Sequence, residues 1–434
     1  MKNSQAVLLS EFDLWSQPPT QVCVDRGFFT EHRPNSVLNI NAPLEFCIPT
    51  SNDEYIFLSE TTFFLKFNIT ATVQGVDKSV VWDKVYTVNN TLHSMIGSFS
   101  ASLNGKEIIR SSQNYAHKAF LQTELGHSNV SKAAILQSSL YFNEPDGLVH
   151  PNRFRALIPI NSGFTSRTID MIGKLHFDLG QSERALLCGS ELRLSIRFNK
   201  PSFFLINRDT DNISLSVNLL ESYISVYRFK ATPTLLTHHH KILSKNPAIY
   251  PITRCEIRTF SLSEKAHEAS MDNIYIGQLP RRIFVGMVDT VAFNGSYNSD
   301  PFDFKHNNVN YICPFIDGVQ FLSRPFTPNY ETDQLTREFY ALYQALDQNG
   351  HDPLLMILKS KFKHHFNIFA FNFAPDLSHG FGSFGYLSEI KRGCLRLDMR
   401  FAKPLETPTT VVIFSEFDNI IEIDKDLNVT TDYN

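Results

Sequence analysis

The residues best suited by type to chemistry are three adjacent histidines, His238, His239 and His240. Metal sites draw ligands from several elements, or from one helix face at i and i+4. Three sequence neighbours cannot all face one ion in a regular element. No acidic residue or cysteine follows at ligand spacing. A cupin-type site needs His-x-His, a nearby Glu and a later His, and only the pair His238 and His240 is present. These histidines are expected in a linker or a short exposed helix. His364-His365, next to Lys363, reads the same way. The stretch Gly380–Gly385 (GFGSFG) has the order G-x-G-S-x-G, and Ser383 lacks the strand-to-helix setting of a nucleophile elbow. No helix opens after it to bind phosphate. The carboxylate pairs Asp209/Asp211 and Asp424/Asp426 fit turns at strand ends. Arg193/Arg197 and Arg396/Arg400 fit a solvated or cross-strand paired face, with an intersubunit role as the sharper alternative. No catalytic, cofactor-binding or metal-ligating residue is nominated. The expectation is a structural or binding protein, not an enzyme.

Composition points the same way. The chain has 434 residues, which suits about two domains of ~200 residues. Charged residues make up 19%, below the roughly 25% of average soluble chains. Phe is abundant, 37 residues against 2 Trp, which suits sandwich cores and buried interfaces. A net charge of −4 without a basic block argues against sequence-specific nucleic-acid binding. The six cysteines form no CxxC and are expected to be reduced and mostly buried. The N-terminus has only Ala6–Leu9 as an apolar run, too short for a signal peptide, and no run approaches a membrane span. The N-x-S/T sequons are accordingly read as chance.

The elements that would carry these residues repeat. Leu192–Pro201 (LRLSIRFNKP) and Leu395–Pro404 (LRLDMRFAKP) share seven of ten residues at an offset of 203. Both alternate apolar and polar positions, the signature of a half-buried strand, and both end at a proline. Two further echoes keep the same order. SASLNGKEI and CPFIDGVQF carry Asn104-Gly105 and Asp317-Gly318, strong hairpin signals. Each leads through an Asn-Tyr pair (Asn114-Tyr115, Asn329-Tyr330) into a helical pattern, AHKAFLQTEL and ETDQLTREFYALYQAL. In the second, Leu335, Phe339, Leu342, Tyr343 and Leu346 form one apolar stripe. Closing strands follow the decapeptides, LSVNLLESYISVY and TTVVIFSEFDNIIEI. Further strand candidates are SVLNINAPLEFCI, TTFFLKFNITATV, GKLHFDL, TRCEIRTFSL, RRIFVGMV and FNIFAFNF. Conserved order across both halves argues for duplication of a whole domain. The expected fold is all-β: two tandem jelly-roll sandwiches with a few short helices in loops. The expected division is an N-terminal arm over 1–35, a first jelly roll over 36–232, a linker over 233–250 and a second jelly roll over 251–434.

The segment Ile276–Ile312, IGQLPRRIFVGMVDTVAFNGSYNSDPFDFKHNNVNYI, resembles capsid proteins of Maverick/Polinton-type DNA transposons and the related adintoviruses. The likeness extends to FDLWSQPPTQ, to NYICPFIDGVQF and to VVIFSEFDNIIEID, and so spans nearly the whole chain. The resemblance implies a double jelly-roll major capsid protein. Such a protein forms homotrimers, which act as pseudo-hexagonal capsomers of an icosahedral shell. It implies neighbouring capsomers and a penton-type minor capsid protein as partners. It also implies a virion location, with assembly in the host cytoplasm or nucleus. It marks no catalytic residue. A double β-sandwich enzyme and a carbohydrate- or receptor-binding protein are the competing classes. The first needs convergent carboxylates between the domains, the second a secretory signal, and the sequence nominates neither.

Overall fold

The structure, a computed structural model, describes residues 10–73, 82, 84–144, 147–158, 165–208, 213–348, 350, 354–378 and 386–433. Among the described residues the first half holds ten strands. They are β1 (Val24–His32), β2 (Leu44–Pro49), β3 (Glu54–Val73), β4 (Val85–Thr87), β5 (Ile96–Leu103), β6 (Lys106–Gln113), β7 (Ile169–Lys174), β8 (Glu191–Phe198), β9 (Leu205–Asn207) and β10 (Ile213–Ala231). Among its described residues the second half holds nine. They are β11 (Ala248–Leu262), β12 (Glu268–Gln278), β13 (Arg282–Asp289), β14 (Val309–Ile316), β15 (Val319–Gln320), β16 (Ile368–Asn372), β17 (Arg392–Phe401), β18 (Thr409–Ile423) and β19 (Val429–Thr431).

Four larger antiparallel sheets follow, beside a two-stranded β4-β9 sheet. Sheet I runs β1-β10-β3-β7 and sheet II runs β2-β8-β5-β6. Sheet III runs β11-β18-β13-β16, with β19 added to β18, and sheet IV runs β12-β17-β14-β15. Sheets I and II face each other across Phe46 and Phe63, whose rings meet edge to face at 6.1 Å. Sheets III and IV enclose a separate core that includes Ile283, Val285, Ile413, Leu395 and Leu397. Each sandwich thus shares eight strands in the same order, with β19 as a ninth in the second, and the fold is a double jelly roll.

The repeated decapeptide occupies one position in both copies. β8 is the second strand of sheet II and β17 the second strand of sheet IV. Each alternates buried and outward residues along its length. The residue after each strand keeps its partner too. Asn199 N donates to Met95 O at 2.7 Å and Ala402 N to Asn308 O at 2.8 Å, both just before the neighbouring strand begins. Position 195 diverged to Asp398, which now accepts from Ser270 Oγ on β12. The hairpin turns are equivalent as well. Asn104 and Gly105 have φ of 50° and 80°, Asp317 and Gly318 of 51° and 79°. Two consecutive left-handed residues are what a two-residue hairpin demands.

Three expectations change. The segment over 1–35 is not an arm throughout, because Val24–His32 pairs with β10. Its one-sided pattern VDRGFFTEH, edge-placed and largely exposed, hides the strand. In GKLHFDL only Gly173 and Lys174 are strand. Leu175, Phe177 and Leu179 keep a period of two and are buried, but the chain leaves the sheet there. His176 N donates to the Tyr115 hydroxyl instead of to a ladder. In SVLNINAPLEFCI only Leu44–Ile48 is strand, because Ser36 and Asn39 turn the preceding backbone through side-chain hydrogen bonds. The linker is partly ordered as a helix, Pro233–Leu243, and β11 begins at Ala248.

Leu194 and Leu397, at the equivalent site, lie in different hydrophobic clusters. Leu194→Ala and Leu397→Ala should each lower stability by about 2–5 kcal/mol. The double variant should lose their sum within ~0.5 kcal/mol, measured by urea denaturation.

Candidate assembly surfaces

The residues nominated for chemistry are dispersed. His238, His239 and His240 lie on the Pro233–Leu243 helix, which buries none of its residues fully. His239 Nδ1 sits 2.8 Å from the Tyr55 hydroxyl, edge-on to that ring. Burial and the flanking His238 and His240 lower its pKa. Among the described residues no group of three or more His, Cys, Asp or Glu could hold a metal ion. His365 meets Asp303 at 3.1 Å, just past the Lys359–His364 helix. Asp424 caps a turn by accepting from Asp426 N and Asn428 N. Asp209, Asp211 and Gly380–Gly385 lie outside the described residues. The arginine rows are surface, paired at three of their four positions, with Arg197 exposed. Arg193 meets Glu191, Arg396 meets Asp398 at 3.1 Å, and Arg400 reaches Glu268 across strands at 4.0 Å. The cysteines are free thiols, three buried and Cys23 exposed.

The densest chemistry lies in a seam between the sandwiches. The Tyr115–Gly126 helix fills it, and ten of its twelve residues are buried. Its Phe120 stacks on Phe302 of the second sandwich at 4.2 Å, and its His117 on Phe293 at 4.7 Å. His117 Nε2 contacts Pro301 O at 3.2 Å, while Nδ1 has no hydrogen-bond partner. Buried ion pairs join the halves. Glu124 accepts from Lys132 at 3.0 Å, from Lys361 of the second sandwich at 2.9 Å and from Tyr141 at 2.8 Å. Arg153 spans Glu144 and Asp300 at 3.1 Å each. Lys118 meets Asp178 at 2.6 Å, beside the Gln122–Cys255 contact across the seam. Burial alone would raise the Glu124 pKa, but Lys132 and Lys361 overcome it and hold the carboxyl at about 2. Sequence reasoning missed this network. Its partners lie up to 237 residues apart, and charged residues in a helical pattern read as a solvated face.

The centre of sheet III is apolar on both faces because of this seam. β18 is buried at nearly every position, and β13 from Ile283 to Val288. Ile283, Val285 and Ile413 point into the second core. Phe284, Val412 and Phe414 point the other way and join the cluster that includes the first core. The outer face of sheet I differs. Phe64 stacks on Tyr223 at 4.6 Å, and Phe29 meets Tyr227 at a tilt at 4.9 Å, with Phe29 63% exposed. A second exposed apolar group lies before β1, where Phe12, Leu14 and Trp15 stand open.

Two tests follow from the seam. Glu124→Gln strands two buried ammonium groups and should cost about 3–5 kcal/mol in urea denaturation. The second concerns acid. Burial holds His93 at about 3 and His117 at about 4, and pushes His176 far down. Unfolded histidines titrate near 6.5. Below that pH the unfolded chain binds protons that the fold refuses, so stability falls from pH 6.5 towards 4. Glu124 adds a further loss below about 4.5. His117→Phe should flatten the decline between pH 6.5 and 4, read from urea midpoints across that range.

Comparison with known proteins gives the following. No protein-family model matches the chain. It is 24% identical over 425 residues to the uncharacterized protein F54H12.2 of Caenorhabditis elegans, covering 94% of this chain and 97% of that one. A chain of the Sputnik virophage superposes with a TM-score of 0.63 at 12% identity, covering 99% of this chain and 93% of the other. The mavirus major capsid protein gives 0.59 at 11%, covering 99% and 96%. The Faustovirus major capsid protein gives 0.60 at 10%, covering 96% and 93%. Both sandwiches and their order are therefore those of a known whole-chain architecture, the double jelly roll.

Proposed function

We propose that the chain is a major capsid protein that trimerises into pseudo-hexagonal capsomers of an icosahedral shell. The observation that carries this reading is the pair of equivalent eight-strand sandwiches fused along one buried seam. Two similar domains per chain let threefold symmetry approximate sixfold surroundings. Whole-chain likeness to the mavirus and Faustovirus major capsid proteins supports it. The sequence signature in Ile276–Ile312 favours the Maverick/Polinton and adintovirus type. A penton-type minor capsid protein is the expected second partner, and the virion the expected location. The chemistry is non-covalent: self-association through apolar faces, with no catalytic step.

The exposed stretch before β1 is the arm in this reading. Trp15 is 86% exposed and Leu14 74%, large apolar groups that a shell neighbour would cover. The division into arm, first sandwich over 36–232, linker and second sandwich is retained as a proposal, with β1 moved from the arm to the first sandwich.

Light scattering on a sizing column tests the reading directly. A trimer is expected at micromolar concentration, with shells in negative stain on raising it. A monomer throughout would overturn the proposal. Deleting residues 1–22 should leave the trimer and its urea midpoint intact, because β1 is untouched. The same deletion should reduce the yield of closed shells.

A further inference from the structure

We propose that His93, His127 and His176 form an acid-sensitive latch in the first sandwich, and that mild acid opens the connection between β7 and β8 and frees it from β11 before the sheets unfold. Such a latch goes beyond the capsid reading and is testable without it. It places the first opening in acid within one stretch of chain, ahead of the general loss of stability.

The three rings come from three elements. His93 lies on the Thr91–Ser94 helix, whose residues are all buried. His127 follows the Tyr115–Gly126 helix. His176 stands where the chain leaves β7. The rings of His93 and His176 meet edge to face at 4.6 Å, and His127 is close enough for its charge to act on both. The hydrogen bonds specify neutral rings. The Tyr115 hydroxyl accepts from His176 N at 3.0 Å, which leaves its own proton for His93 Nδ1 at 3.2 Å. A proton on that nitrogen would face another proton. Gln122 Nε2 donates to Cys255 Sγ, so Gln122 Oε1 accepts from His176 Nδ1 at 3.0 Å. His127 Nδ1 is buried without a hydrogen-bond partner.

The charges around the cluster oppose an added proton. Lys118 of the seam helix faces His176, and Lys132 and Lys174 face His127. The nearby carboxylates are already paired: Asp178 with Lys118 at 2.6 Å, Glu124 with Lys132 at 3.0 Å and Glu60 with Lys174 at 3.2 Å. A proton on one ring therefore meets two neighbouring imidazoles and three ammonium groups, and it is accommodated by moving the rings apart. His127 and His176 are only half-buried, which gives protons a way in. The part free to move is the connection that His176 begins. It leaves the ladder after Lys174 and touches β3 again at the isolated Ile56–Leu186 bridge. Asp178 ties it to the seam helix. Tyr250 of β11 ties it to the second sandwich, its hydroxyl accepting from Leu187 N at 3.0 Å and donating to Ala185 O at 3.1 Å. Once open, each ring regains a pKa near 6.5, while the closed form holds His93 at about 3 and His176 far down. The open form binds protons that the closed form refuses, so acid favours opening. At pH 5 each freed ring raises the open population about 30-fold, and His93 and His176 together about 1,000-fold.

Hydrogen exchange read by mass spectrometry on the full chain tests the latch. Between pH 7 and pH 5 the amides of Leu175–Leu187 should lose protection about 100-fold or more beyond the ordinary pH dependence of exchange, while the paired amides of β3 and β10 keep theirs. His93→Asn combined with His176→Asn should remove the effect, because each amide side chain reproduces the Nδ1 contact and does not titrate. His176→Asn alone serves where the double variant fails to fold, and should cut the acid response about 30-fold. Protection of Leu175–Leu187 that is unchanged at pH 5 in the parent chain, or lost only together with β3 and β10, overturns the inference. A folded variant that opens in acid as the parent does overturns it as well. Oligomeric state at pH 7 bears on the capsid reading alone, so the two can fail separately.

Discussion

A sheet that is apolar on both faces cannot end at water. The centre of sheet III, where Val411–Phe414 of β18 pair with β13, is such a surface, and the rest of the molecule answers to it. Its inner face makes the second core, and its outer face requires cover. The cover is the Tyr115–Gly126 helix together with Phe302, Phe304 and Phe366. Burying a Phe side chain is worth about 1.5–3 kcal/mol. A handful of such rings makes separation of the sandwiches unfavourable on apolar grounds alone. The two domains behave as one block, although each has its own pair of sheets.

The ion pairs in that seam play a different part. Removing Glu124 and Arg153 from water costs several kcal/mol per ion before their partners offset it. They add little net strength, but each is correct in only one docking geometry. Glu124 needs Lys361 from the second sandwich, and Arg153 needs Asp300. Any other alignment leaves a charge buried without a partner. Apolar burial holds the halves together, and the charges fix how they meet.

Local features were legible in the sequence. The Asn104-Gly105 and Asp317-Gly318 turns, the helix from Tyr115 and the alternating strands β8 and β17 each follow from a few adjacent residues. The short apolar run Val411–Phe414 in β18 carries more, since burial on both faces removes the alternation there. Edge strand β1 was not legible, because its outward charged residues mask the pattern. The stretch after Lys174 misled in the opposite sense, with a strand-like period but no neighbouring strand. The candidate surfaces were the least legible. Whether Phe64 or Phe284 is covered depends on what packs over it, and nothing within ten residues of either says so.

The C-terminus returns to the first sandwich. Leu427 O accepts from Asn104 Nδ2 at 2.8 Å, and the Tyr433 hydroxyl donates to Ile108 O at 3.1 Å. These contacts join positions 323 and 325 residues apart. During synthesis the first sandwich has all its strands once Ala231 has emerged, long before the clasp can form. Domains fold as units, N-terminal first. Sheet III then gains its inner and outer cover together, because β18 is among the last strands made. The final ten residues latch onto a hairpin that has been folded for the time taken to make some three hundred others. The ribosome thereby sets the order of events: the first sandwich is a finished surface on which the second is assembled.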